Sequence, residues 1–250
     1  MKIGILRTGD VNPALTPSYG EYPDMFARML HGIDPTLEFL TIDLLSGELP
    51  DNPQQADGWL ITGSRHGVYD DLDWIEPVKA FLRQALADKV PVVGVCFGHQ
   101  ILAEAMGGKV VKSDKGWGLG PHNYKASGAP DWMGSLAQDW SGHAVHQDQV
   151  VELPPNSTVM ASSDFCNYAA LAYGDVQAPL AISVQPHPEF SDAFVSDLID
   201  VRLRGIVPDD IIAESQAKLG QSVNNTDWAK AMVAFYRRAY DANHTRGTNT

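Results

Sequence analysis

The sequence predicts an α/β protein, a three-layer sandwich built around a mainly parallel sheet, with antiparallel additions and a helical C-terminal extension. Three observations lead there. Up to about residue 106, short β-rich apolar runs alternate with stretches of helical period, the pattern of strands joined by crossover helices. Runs such as Trp59-Leu60-Ile61 and Val92-Val93-Gly94-Val95 are continuously apolar, as strands covered on both faces must be. From Lys109 to Val184 the texture changes to short segments separated by turn residues, and from Asp192 to Tyr240 it becomes mostly helical.

Each element has its own signal. Residues 2–7 (KIGILR) read as the first strand, followed by a loop rich in Gly, Pro and Asn from Thr8 to Tyr22. A helix from about Pro23 to His31 places Met25, Phe26, Met29 and Leu30 on one face, and Leu37 to Asp43 reads as the second strand. The turn-forming Asp57-Gly58 introduces a third strand, Trp59 to Thr62, ending at Gly63. A helix from Trp74 to Asp88 carries Ile75, Val78, Leu82, Ala85 and Leu86 on a helical period. Val92 to Val95 is a buried strand, and Phe97 to Met106 a helix stopped by Gly107-Gly108. Thr158–Ala161, Phe165–Tyr173 and Pro179–Val184 are the predicted antiparallel additions. Breaks near Pro208 and Gly220 divide the helical C-terminal part, and the terminal TRGTNT is expected to fray. There is no internal repeat and no linker long enough to separate domains. Residues 191–250 are therefore read as a helical extension of the domain formed by residues 1–190.

Composition excludes several function classes. A net charge of −13 opposes binding to nucleic acid or an anionic membrane, because phosphates are repelled at long range. The apolar stretch of the N-terminus is too short for a signal sequence, and no run approaches a membrane span. Two cysteines, Cys96 and Cys166, make no disulfide framework, so a cytoplasmic setting is expected. No loop has P-loop spacing, and His143 and His146 lie three apart on a strand and so face opposite sides. Neither a cofactor nor a metal is expected. Cys166, in a predicted strand, reads as core packing, and His99 as a residue packed beneath the site.

The stretch Pro91 to Gln100, PVVGVCFGHQ, carries the chemistry. A buried strand ends at Val95, Cys96 occupies the turn, and a helix begins at once, the context of a nucleophile elbow. Gly94 and Gly98, two residues to either side, remove the clashes that such a strained turn would otherwise create. The helix N-terminus favours negative charge on the sulfur, and the N–H of Phe97 is placed to stabilise an oxyanion.

A nucleophilic cysteine needs a base, and the base an orienting group. His187 lies in SVQPHPEF just after the β-like run Leu180 to Val184, with Glu189 two residues on. In extended chain these two side chains face the same way, and Pro188 between them restricts the backbone. The chain order Cys…His…Glu also separates this protein from α/β-hydrolases, whose acid precedes the histidine.

PVVGVCFGHQILAEAMGG together with AISVQPHPEF resembles the class I, triad-type glutamine amidotransferases, especially stand-alone proteins related to the amidotransferase domain of GMP synthase. ITGSRHGVYDDLDWI (61–75) is similar to the family's glycine-rich loop after the third strand, and AVHQDQVVELP (144–154) to the segment lining its glutamine pocket. The resemblance covers residues 2 to about 190 and implies a flavodoxin-like sandwich. It further implies that Cys96 attacks the γ-carboxamide of glutamine or a γ-glutamyl compound, with His187 as base and then acid and Glu189 orienting it. The backbone of Gly63 joins that of Phe97 as oxyanion hole, and Gln100, with main chain around His146 and Gln147, holds the α-amino and α-carboxylate end. The sequence departs from the family at Ser64-Arg65, where Gly-Pro often follows the first glycine, at Gln147, where glycine is usual, and at Pro186, where an aromatic residue is common. These departures bear on the substrate.

Three functions remain open on sequence alone. One is a stand-alone hydrolase of γ-glutamyl amides. The second is a glutaminase subunit that delivers ammonia to a separate synthetase. The third is a catalytically silent binding or regulatory module, which the intact Cys-His-Glu set opposes. The identity of the substrate, any synthetase partner and any homo-oligomeric state are not readable.

Overall fold

A computed structural model of the chain describes residues 1–245, with the side chains of the last two left out. In chain order, strand β1 (Lys2–Arg7) leads through a short helix α1 (Thr16–Tyr19) to helix α2 (Tyr22–His31), then strands β2 (Glu38–Asp43) and β3 (Gly58–Ile61). Helix α3 (Ile75–Ala87), strand β4 (Val92–Val95) and helix α4 (Phe97–Ala105) follow. Next come strands β5 (Lys109–Lys112), β6 (Gly118–Ala126), β7 (Trp140–His146), β8 (Asp148–Glu152), β9 (Ser157–Ser162), β10 (Ala170–Tyr173) and β11 (Ala181–Val184). Helices α5 (Asp192–Leu198), α6 (Asp209–Lys218) and α7 (Asn225–Thr245) complete the described chain, with a π-helical turn, Ile199–Leu203, directly after α5.

Nine strands form one sheet in the order β2-β1-β3-β4-β11-β10-β9-β6-β7, while β5 and β8 pair separately. Strands β2, β1, β3, β4 and β11 are mutually parallel, and the remainder of the large sheet is antiparallel. The side-chain alternation along the strands sorts the core into two faces. Ile3, Ile5, Leu60, Val93 and Val95 pack with Phe26 and Leu30 of α2 and with Trp228, Met232 and Tyr236 of α7. On the other face Leu6, Trp59, Ile61 and Val92 pack with Val78 and Leu82 of α3 and with Phe97, Ile101 and Leu102 of α4. Each such aliphatic or aromatic side chain taken fully out of water contributes roughly 1.5–3 kcal/mol. The α/β sandwich expected from the sequence is thus the one observed. Its third apolar cluster ties Tyr22 and Met25 of α2 to Phe190, Phe194, Leu198 and Leu203, so the segment after β11 packs against the start of α2.

Two expectations need correction. Phe165–Tyr173 is not one strand: only Ala170–Tyr173 pairs, and Cys166 is a buried residue of a loop where its N–H is bound by Ser163 Oγ at 3.0 Å and its carbonyl by Ser163 N at 2.8 Å. That local loop takes the backbone groups a ladder would have used. Pro179–Val184 is likewise not a purely antiparallel addition. It starts at Ala181 and lies between β4 and β10, parallel to the former and antiparallel to the latter. The breaks near Pro208 and Gly220 appear where expected, between the π turn and α6 and between α6 and α7. The predicted fraying of TRGTNT falls, past its first residue, outside the described residues.

Candidate active site

The site is assembled at the carboxyl ends of β3, β4 and β11. Cys96 follows β4 with φ 53° and ψ −104°, a left-handed conformation that side chains rarely adopt. Its N–H is bound by Val184 O at 2.9 Å and its carbonyl accepts from Gln100 N at 3.1 Å, so β11 holds one side of the turn and α4 the other. The flanking glycines are required sterically. A Cβ on Gly94 would lie 2.9 Å from His99 N and closer still to the Gly98 carbonyl, and one on Gly98 would meet Ile61 of β3. Phe97 opens α4, so its N–H has no acceptor within the helix.

Parallel pairing sets Val184 opposite Val95, which carries the chain after β11 past Cys96. There His187 N donates to His143 O of β7 at 2.8 Å. The imidazole Nδ1 lies 2.7 Å from Glu189 Oε1, and both side chains are buried. Phe190 stacks on the ring, with centroids 4.0 Å apart and planes 4° from parallel. Burial by itself would lower the His187 pKa. The charge of the Cys96 sulfur and of Glu189, with hydrogen bonds to both, overcomes this and pushes it up to about 10. The arrangement is an imidazole held between a sulfur and a carboxylate.

Gly63 closes the other side, following β3. A Cβ there would stand 2.9 Å from His187 Cε1 and 3.8 Å from Cys96 Cβ. The Thr8 hydroxyl lies 3.1 Å from the Gly63 carbonyl and 3.0 Å from that of Thr62, which fixes the orientation of this peptide. His99, by contrast, is fully buried beneath the elbow with Nδ1 2.8 Å from Ser183 Oγ, and burial pushes its pKa down to about 3.

Cys96, His187 and Gly63 open onto a cavity of about 290 Å³, which Gln100, His146 and Gln147 also line. Gln100 Nε2 donates to Asp148 O at 2.9 Å and to Gln185 Oε1 at 3.1 Å, so its amide nitrogen is used inside the fold and its oxygen remains for a ligand. The His146 ring is buried with Nδ1 3.1 Å from Asp148 O, and burial drives its pKa to about 3, so it is neutral. Gln147 occupies the turn between β7 and β8, where its carbonyl accepts from Ser113 N at 3.3 Å.

Sequence reasoning did not single out Phe190, Tyr22, Lys112, Leu198, Arg202 or Leu203, which also line this cavity. Phe190 follows the His-Pro-Glu run and a stacking partner was available there to be noticed. Tyr22 and Arg202 lie far from the motifs, and no periodicity or spacing marks them. Trp117 and Arg65 also line the cavity.

The family model described as glutamine amidotransferase class-I matches residues 19–193. Gamma-glutamyl peptidase 3 of Arabidopsis thaliana is 32% identical over 168 residues, covering 63% of this chain and 65% of the peptidase, somewhat less than two thirds of that relative's length. A subunit of the glutamine-hydrolyzing GMP synthase of Halobacterium salinarum is 33% identical over 176 residues, 69% of this chain and 85% of its own length. Among solved structures, a glutamine amidotransferase from Methylobacillus flagellatus superposes with a TM-score of 0.75 at 22% identity over 95% of this chain and 94% of its own, a likeness of fold. With the family model matching well over half the chain and the sheet order and elbow in place, the chain belongs to the class-I glutamine amidotransferase family.

Proposed function

We propose that this chain is a cysteine-dependent amidase that hydrolyses the γ-amide of a γ-glutamyl compound through Cys96, His187 and Glu189. The observation that carries the reading is the buried Cys96–His187–Glu189 alignment at an elbow whose backbone conformation is strained. In the mechanism, the Cys96 thiolate attacks the γ-carbonyl carbon, and the negative charge that forms on oxygen is met by the N–H groups of Gly63 and Phe97. His187, carrying the proton that came from the thiol, gives it to the departing nitrogen as the C–N bond breaks. A γ-glutamyl thioester and a free amine result. Water then attacks the thioester carbonyl, losing its proton to His187, and the C–S bond breaks to release glutamate and restore the Cys96 thiolate. Glu189 keeps Nδ1 of His187 protonated so that Nε2 faces the sulfur. Gln100 and the main chain at His146 and Gln147 receive the glutamate end.

The likeness to gamma-glutamyl peptidases supports a stand-alone hydrolase, and the likeness to part of a GMP synthase supports a second reading in which the ammonia passes to a synthetase partner. Two unbridged, buried cysteines suit the cytoplasmic setting proposed, and no described helix is long and apolar enough to cross a membrane. The purified chain, with no partner added, should be assayed against glutamine and a panel of γ-glutamyl dipeptides. Hydrolysis abolished in Cys96→Ser, nearly abolished in His187→Ala and partly retained in Glu189→Gln is the expected pattern, since an orienting carboxylate contributes less than the base. A Cys96→Ser protein that keeps more than a few per cent of activity would rule out covalent chemistry at this residue.

A further inference from the structure

Of the three cations in the cavity wall, Arg65, Lys112 and Arg202, only Arg202 is half-buried. It lies on the π-helical turn Ile199–Leu203, and segments of this kind recur at functional sites. The other two cations of this wall, Arg65 and Lys112, are exposed to water, where a charge needs no partner. Arg7, Lys79, Arg204, Lys218 and Arg237 all form ion pairs, yet Arg202 has neither an ion pair nor a hydrogen bond among the described residues. A half-buried guanidinium left unpaired in the wall of a cavity that holds a nucleophile is suited to a ligand anion.

Its place in the wall says which end of a substrate it meets. Tyr22, on the same cavity, is buried, and its phenol is acted on by the charges of both Arg202 and Cys96, so it stands between the guanidinium and the sulfur's surroundings in the same wall. The glutamate end of the substrate is assigned above to Gln100 and the β7–β8 turn, a different wall. The wall made by α2 and the segment after α5 is therefore left for the departing amine.

We propose that Arg202 binds a carboxylate on the leaving-group side of the scissile amide, so that the preferred substrates are γ-glutamyl amino acids or peptides with a free carboxylate. This rests on the amidase reading given above. Glutamine, which releases only ammonia, offers Arg202 nothing. Losing a charge-assisted hydrogen-bonded contact costs roughly 10- to 100-fold in affinity.

The test compares wild type, Arg202→Gln and Arg202→Lys on γ-glutamyl-alanine, γ-glutamyl-alaninamide and glutamine. For Arg202→Gln, kcat/KM on γ-glutamyl-alanine should fall roughly 10- to 100-fold, mostly through KM, with the other two substrates within about threefold of wild type. Arg202→Lys should restore part of the loss on γ-glutamyl-alanine alone. An equal loss on all three substrates, or none on γ-glutamyl-alanine, overturns the proposal. If wild type hydrolyses none of them, the amidase reading fails first, and calorimetric titration of γ-glutamyl-alanine into Cys96→Ala decides the rest. Binding that weakens at least tenfold on adding Arg202→Gln keeps the carboxylate site, whereas unchanged or undetectable binding removes it.

Discussion

Replacing Gly63 by alanine tests the geometry of the site with a single methyl group. The new Cβ would stand 2.9 Å from His187 Cε1, where an ordinary contact needs about 3.4 Å or more, so the imidazole or the loop must give by about half an ångström. His187 cannot retreat freely. Its backbone N–H is bound to His143 O at 2.8 Å, its Nδ1 to Glu189 at 2.7 Å, and its face lies against Phe190 at 4.0 Å. Overpacking of this kind costs about 1–3 kcal/mol, which for a chain of this size lowers the melting temperature by roughly 2–10 °C. A 1 Å misplacement of a reacting group costs about a hundredfold, so half of that should cost roughly tenfold in kcat/KM. The assay is kcat/KM on the best γ-glutamyl substrate together with a thermal melt, and the rate of Cys96 alkylation by iodoacetamide gives a readout independent of turnover. Gly32→Ala is the control, because its Cβ meets nothing nearer than 3.4 Å and its φ is −63°. If Gly63→Ala turns over and alkylates within about twofold of wild type, His187 is not wedged as described.

Three further outcomes follow from the same structure. A glutamine-mimicking electrophile should label Cys96 before Cys166, whose thiol is pushed up to about 12 by burial, and peptide mapping with Cys166 labelled first would count against the elbow. Gln147→Gly should raise kcat/KM for glutamine relative to a γ-glutamyl dipeptide if the side chain narrows the pocket, and equal effects on both substrates would sink that role. Acid should destabilise the fold early. His99 and His146 are held neutral by burial down to about 3, so the unfolded chain binds protons the native state does not. That stability is complete above the ordinary histidine pKa near 6.5 and is lost as pH falls from there toward 3, about 4 kcal/mol for the pair by pH 5. Melts that stay flat between pH 7 and 5 would contradict it, and His99→Gln should remove about half the slope.

Much of this was legible in the residues themselves because the signals are local. The continuously apolar Val92–Val95, the glycines around Cys96 and the helical composition after it dictate a strand, a strained turn and a helix, and the structure has all three. His187 and Glu189 lie 2.7 Å apart as their spacing suggested, but through a turn at Pro188-Glu189, closed by Phe190 N donating to His187 O at 3.5 Å, and not in extended chain. Less local features were misread. Phe165–Tyr173 has strand composition, but side-chain bonds from Ser163 fold its first half into a loop.

What the sequence by itself determined, then, is the set of parts: apolar strands, a strained turn at Cys96, a histidine with its carboxylate. Their meeting was decided by tertiary structure. Cys96 and His187 come together only because β11 pairs in parallel with β4, and Gly63 reaches them only because β3 lies on the other side of β4. Arg202 and Tyr22 enter the same cavity because the segment after β11 packs its apolar side against α2. The physical reason is that backbone conformation is dictated within a few residues, whereas strand order and burial are settled by which apolar faces cover one another across the whole chain.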